Sequence, residues 1–293
     1  MERSQTPQGN RMSTVLGRRL GGELAKHRLD AGLTQGQAAK VISASTGKVA
    51  RMESGWVPMR DPDVRVLCEL YGVTDPVAVG GLLELARVDR ERRKAKGWWN
   101  DFPDLGDMRE YITLENAATT IRTWQIAFIP GLLQTPAYVR ALVFGNSSRS
   151  HTDGGQQVVA TRLARQQRLH DHAPLSLRVV IHEAALRHLV GGSDVMRAQL
   201  KHLAEAAQQS NIEVRVLPFT AGEHAGMGGT FNIISFAEPG AMDVVYTETA
   251  MGQLWVEGGD GAAQHDRLFR RLAESALSPA DSNAFINALH KEM

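Results

Sequence analysis

Lys48 and Arg51 stand three residues apart in a short polar run, with Thr46 and Gly47 just ahead of them. An ammonium at Lys48 can neutralise a phosphate. The guanidinium at Arg51 can make a bidentate bond to the O6/N7 edge of guanine, worth about 1–3 kcal/mol of discrimination between bases. Neither group can do this unless a rigid element holds it outward.

The surrounding run, LTQGQAAKVISASTGKVARMESG from Leu33 to Gly55, supplies such an element. It holds two short helical patterns separated by a tight polar turn. Thr34 can cap the first, with Ala38, Ala39 and Ile42 facing inward. Ser45 can cap the second, whose Val49 and Met52 share one face at i, i+3. Thr46, Gly47, Lys48 and Arg51 are left on the outer face. A short helix with a polar, basic outer face, braced by a small-residue helix, fits a DNA major groove.

Leu33 to Gly55 resembles, without gaps, the helix-turn-helix of phage-repressor and xenobiotic-response-element-like (XRE) transcription regulators. The matching features are the Leu33-Thr34-Gln35 opening, the small Ala39, the capping Ser45, and Glu53 ahead of Gly55. The resemblance implies that Gln35 fixes a phosphate and that an Arg28–Glu53 ion pair holds the recognition helix in place. It assigns base reading to Thr46, Gly47, Lys48 and Arg51. Two departures stand out. Gly47 occupies a position where many relatives carry a polar side chain. The loop WVPMRD after Gly55 offers one basic residue, Arg60, where relatives often have several; Trp56 in that loop reads as packing.

The 293 residues suffice for two domains, and a hydrophobic fraction of 43% allows each a core. Charge is unevenly placed: residues 1–96 hold 17 Lys/Arg against 11 Asp/Glu, and the remainder 16 against 21. A basic front and an acidic back suit a DNA-binding module joined to a domain that does not touch DNA. One cysteine, Cys68, excludes a disulfide framework and suits a reducing cytoplasm, where a DNA-binding module is expected on the nucleoid. No apolar stretch is long enough for a membrane span.

Residues 1–14 read as a polar, disordered arm, and 15–86 as an all-α helix-turn-helix domain of five helices. Helix 1 runs over Val15 to Ala31, with Leu16, Leu20, Leu24 and Leu29 inward and Gly32 as its stop. Asp61-Pro62 starts a helix that buries Val64, Leu67, Cys68 and Tyr71, and Pro76 starts another. Residues 87–97 read as a basic, solvated helical linker.

Residues 98–293 read as a larger mixed α/β (α+β) domain. The pattern predicts a helix over Met108 to Thr123 with a cap at Asp107, a strand over Trp124 to Ile129, and a helix from Thr135-Pro136 through Phe144. A Ser/Gly loop follows over 145–155, then a basic amphipathic helix over Gln156 to His170. Strands are predicted over Leu175 to Ile181, Ile212 to Leu217, Thr230 to Phe236, Asp243 to Glu248 and Gln253 to Glu257. Helices are predicted from Ser193 to Gln209, over Gly261 to Ala276, and from the Ser278 cap onward.

This second region is similar to an actinobacterial domain of unknown function found after such helix-turn-helix modules in Scr1-type antitoxin-like regulators. The resemblance rests on YITLENAATTIRTW (Tyr111 to Trp124), IPGLLQTPAYVRAL (Ile129 to Leu142), HEAALRHLVGG (His182 to Gly192) and HAGMGGTF (His224 to Phe231), among other runs in the same order. It implies a regulator that binds a small partner protein encoded nearby, and it carries no established enzymatic site.

Other constellations read as structural. His182-Glu183 with His188 lacks the i, i+4 histidine spacing of helical zinc sites, because Leu186 stands at the required position. His224 to Gly229 is glycine-rich but precedes a strand pattern, so it does not cradle phosphate at a helix N-terminus; a mobile loop near a partner or ligand site is expected. Trp98, Trp99 and Trp124 suit cores. Arg162, Arg165 and Arg168 form a basic stripe read as solvated or ion-paired. No metal, cofactor or catalytic set is legible, so no enzymatic activity is expected. The expected function is a sequence-specific, homodimeric regulator, a repressor, that binds a double-stranded DNA operator. The alternatives are an antitoxin-like interaction protein and an enzyme with a DNA-binding appendage.

Overall fold

The computed structural model describes residues 13–102, 105–106, 108–145, 153–237, 243–249, 252–256 and 259–293. Most of the expected arm, the Asp107 cap, most of the Ser/Gly loop and the Glu257 strand end lie outside these residues. The chain divides into two compact units, Met1–Lys96 and Gly97–Met293. Among the described residues no helix is long and apolar enough to cross a membrane.

The first unit is helical: α1 Val15–Asp30, α2 Gln35–Val41, α3 Thr46–Glu53, α4 Asp61–Leu70 and α5 Pro76–Lys94. Local chemistry sets the ends. The Thr14 hydroxyl accepts from Gly17 N to start α1, Thr34 and Gln37 form a reciprocal capping box on α2, and the Asp75 carboxylate caps α5. Leu20, Leu24, Ala38, Ala39, Val49 and Met52 meet in one core with Val64, Leu67 and Cys68 of α4. Burial there raises the Cys68 thiol pKa, as packing rather than chemistry requires. Leu29, expected inward, is 66% exposed, because the inward position one turn after Leu24 is taken by the buried Arg28.

The basic run from residue 87 departs from the expected linker. Residues 87–94 continue α5 and pack back on the first unit. Arg93 is nearly buried, bonded to Asp89 Oδ2 (2.8 Å), Thr14 Oγ1 (2.7 Å) and the Gly55 carbonyl (2.5 Å). Arg90 reaches the Met59 carbonyl (2.6 Å) and Asp61 (2.7 Å). These cations are spent on the fold, where composition suggested solvent.

The second unit is a mixed α/β domain. In order it holds α6 Met108–Ala117, β1 Thr120–Gln125, α7 Pro136–Phe144, α8 Asp153–Arg165, β2 Ser176–His182, α9 Glu183–Arg187, α10 Ser193–Ala206 and β3 Ile212–Leu217. There follow β4 Phe231–Ser235, β5 Val244–Thr249, β6 Gly252–Val256, α11 Gly259–Ser275 and α12 Pro279–Glu292. Among the described residues the strands form one sheet in the order β3-β2-β1-β4-β5-β6. The first three are parallel, and β4 to β6 join antiparallel.

The first strand starts four residues ahead of expectation. Thr119, Thr120 and Ile121 are β-branched residues that favour extended backbone, so the α6 helix stops at Ala117. The amphipathic α8 likewise ends early, at Arg165, and tightens into a 3₁₀ turn over Gln166–Leu169. Alternation gives the sheet two faces. Trp124, Phe231, Ile233 and Val245 join Phe269 and Leu272 of α11 on one. The other carries Thr123, Asn232 and Tyr246 in register across β1, β4 and β5.

Candidate nucleic-acid interface

The turn between α2 and α3 is closed by two hydrogen bonds, Ser43 N to the Lys40 carbonyl (3.2 Å) and Ala44 N to the Ala39 carbonyl (2.9 Å). That pattern is a Schellman stop, and it puts Ser43 in the left-handed region at φ 50°. A non-glycine residue there costs on the order of 1–2 kcal/mol, which the buried sides of both helices offset. Ser45 then starts α3 by accepting from Lys48 N at 3.1 Å.

The back of α3 is locked. Val49 and Met52 are buried against α1 and α2. Arg28 gives Nε to Glu53 Oε1 (2.7 Å), Nη2 to Glu53 Oε2 (3.0 Å) and Nη1 to the Leu33 carbonyl (2.8 Å). Gln35 Nε2 adds a bond to Glu53 Oε2 at 2.8 Å. One carboxylate thus ties the ends of α1 and α3 to the start of α2. The hydrogen bonding of Arg28 to Glu53 is the main reason the Arg28 pKa lies above its ordinary range, against the opposing effect of burial.

Close backbone approach completes the clamp. A Cβ on Gly21 would stand 2.2 Å from the Glu53 carbonyl oxygen, and one on Gly55 2.4 Å from Arg18 N. Gly55 was legible as part of the motif. Gly21 was not: beside Gly22 inside a helix, it gives no sign of what will approach it.

The front of α3 is open. Ser45, Thr46, Gly47 and Arg51 are exposed and Lys48 is half-buried. Among the described residues Arg51 has no side-chain hydrogen bond or ion pair, in contrast to the engaged Arg28, Arg90 and Arg93. Gln35, implied to fix a phosphate, has its amide nitrogen committed to Glu53. Arg60 is an exposed cation paired with Asp63 at 3.0 Å. Trp56, expected to pack, is 50% exposed, because Met59 fills the buried position beyond α3.

In the second unit His182, His224 and Trp124 come together, while the other candidates lie apart from them. His182 ends β2, with Nδ1 accepting from Ala184 N at 3.2 Å; His188 is exposed with Nδ1 3.2 Å from the Ala127 carbonyl. Glu183 is buried and bonds Arg187 Nε (2.6 Å) and Phe219 N (2.8 Å). Gly226 of the glycine-rich loop lies close against the Trp124 indole, whose Nε1 donates to its carbonyl at 3.0 Å. Trp99 and Trp124 are buried, and Trp98 packs edge-on against Trp99 and Phe102. Arg165 is buried in a pair with Glu115 (2.7 Å), and Arg168 is bonded to backbone carbonyls.

His182 and His224 lie with ring centroids 5.4 Å apart. Burial pushes both below the ordinary imidazole pKa of 6.5, and the neighbouring His224 depresses His182 further. Each Nδ1 accepts a backbone N–H, which requires the neutral ring. The folded state therefore binds fewer protons than the unfolded one below pH 6.5. Their contribution to stability is full above that pH and is lost as the pH falls from there toward the folded values. The urea midpoint of this unit is expected to drop between about pH 7 and pH 5, and the double variant His182→Gln, His224→Gln to flatten that slope. A slope unchanged in the variant contradicts the assignment.

Residues 108–288, more than half of the chain, match the family model described as Domain of unknown function (DUF5753). The chain belongs to this DUF5753 family. Residues 19–79, which carry α2, α3 and the locked pair, match a model described as Helix-turn-helix domain, a DNA-binding type of module. No curated protein and no solved structure matches the chain.

Proposed function

We propose that this DUF5753 member is a sequence-specific transcriptional regulator, a repressor of the phage-repressor and XRE-like class. The observation that carries the reading is the contrast across α3. Its back is fixed by Glu53, Arg28 and Gln35, while Thr46, Gly47 and Arg51 are held out to solvent. The matched helix-turn-helix supports DNA as the ligand. Arg51 reads a guanine, Lys48 and Arg60 meet phosphate, and Gly47 lets the backbone approach the groove closely.

The second unit supplies dimerisation and receives a signal or a small partner protein, as in the Scr1-type antitoxin-like regulators it resembles. One short helix reads few base pairs. Regulators of this class therefore place two recognition helices about one DNA turn apart, roughly 34 Å. The proposal assigns no catalytic step to the chain and no cofactor, and it places the protein in the cytoplasm on the nucleoid.

Sedimentation of the full chain with titration against an operator selected from random duplexes tests this reading. The expected result is a dimer that protects a two-fold symmetric site. A monomer that protects an asymmetric site, or equal affinity for every duplex, overturns it.

A further inference from the structure

The sheet face opposite α11 is not fully packed. A cavity of about 520 Å³ lies between it and α6, α7 and α8. Small-molecule sites typically span about 300–1,000 Å³. Its floor is unusual for a sheet covered by helices. Thr123, Asn232 and Tyr246 run across three strands in register, where aliphatic side chains would pack more cheaply. Ile121, Leu132 and Leu142 give it apolar walls.

Positive charge in the cavity gathers on α8. Arg162 and Arg165, one turn apart on α8, both line it. Arg165 is buried and rigid: Glu115 holds Nε and Nη2 at 2.7 Å each, and the guanidinium lies 5.0 Å over the Tyr111 ring. Arg162 Nη1 bonds Gln134 Oε1 at 3.2 Å, and Gln134 is anchored in turn on the Ile129 carbonyl at 2.7 Å. The guanidiniums are thus set in place by their neighbours. Glu115 is not part of the lining. Glu248, the lining carboxylate, is exposed. A bound acid is therefore drawn inward to α8 and repelled from the Glu248 side. Arginine also offers several donors in a plane, so one can serve its protein partner and a ligand oxygen together.

We propose that this cavity binds a small organic anion with an apolar or aromatic body. Its acidic group sits on Arg162 and Arg165, and its body lies along Ile121, Leu132 and Leu142. The inference deepens the signal-receiving role given above to the second unit. It is measured without DNA, so its failure and the failure of the DNA-binding reading are separately visible.

The test uses the full chain and two dyes that share a ring system. 8-Anilino-1-naphthalenesulfonate carries an acidic group, and N-phenyl-1-naphthylamine carries none. Saturable binding of the sulfonate at one dye per chain is expected. Arg162→Met should weaken the sulfonate by about tenfold or more, the loss of one charge-assisted contact, and leave the neutral dye within about twofold. Arg162→Lys should fall between. Leu142→Trp, which fills the cavity, should remove both dyes. Should that variant fail to fold, the Arg162 pair decides alone. The proposal is overturned by no saturable sulfonate binding, by binding indifferent to Arg162→Met, or by equal loss of both dyes in that variant.

Discussion

Replacing Glu53 with alanine is expected to cost the helix-turn-helix unit about 3–5 kcal/mol, the usual penalty for stranding one member of a buried ion pair. Both side chains are about nine-tenths buried, at 9% exposure for Arg28 and 11% for Glu53. The substitution leaves the Arg28 guanidinium with the Leu33 carbonyl alone and strips Gln35 of its acceptor. In a unit of this size each kcal/mol moves the midpoint by about 4–8 °C, so the transition should fall by at least about 10 °C in calorimetry of the full chain. Glu53→Gln, which keeps the shape and one acceptor, should lose less. The double variant Arg28→Met, Glu53→Met should recover much of the loss, since a buried pair exchanged for packed apolar groups is often near neutral. A single variant within about 1 kcal/mol of the parent would show that the pair does not hold α3.

Arg51→Ala is expected to do the opposite: little to stability and much to sequence preference. The side chain is exposed and, among the described residues, makes no bond that holds the fold. If it reads guanine, the selected operator should bind about 5- to 150-fold more weakly, the range that a bidentate contact of about 1–3 kcal/mol implies. A scrambled duplex should change by much less, because phosphate contacts position without specifying. Equal losses on both duplexes would make Arg51 a phosphate contact. The same titrations on Lys48→Ala serve as the contrast, with the loss expected on both.

What the sequence made legible and what it concealed follow from the range of the interactions. Thr34, Ser45 and the Val49–Met52 spacing act within one turn, so both helices of the motif could be read directly. The strands Ile212–Leu217 and Val244–Thr249 are rich in β-branched residues, readable for the same reason. The helical expectation over Thr119 to Thr123 fails because Thr119, Thr120 and Ile121, three β-branched residues in a row, favour extended backbone. Arg93 and Arg165 look like surface cations in a charge run. Arg93 has the local partner Asp89, but its contact with Gly55 and that of Arg165 with Glu115 span 38 and 50 residues. No local signal announces such a pair, nor the polar row Thr123, Asn232, Tyr246, which exists only once β1, β4 and β5 are in register. The parallel order of β1 to β3 is likewise a property of the assembled sheet.

The most direct measurement of the central claim, that the open face of α3 reads the major groove, is guanine N7 methylation interference on a selected operator. The atom modified is the one that a bidentate arginine uses. The full chain should be blocked by methylation in two symmetric segments about one helical turn apart. In Arg51→Ala, sensitivity at one guanine per half-site should disappear while the others persist. Binding indifferent to N7 methylation, or an identical pattern in Arg51→Ala, would contradict the account.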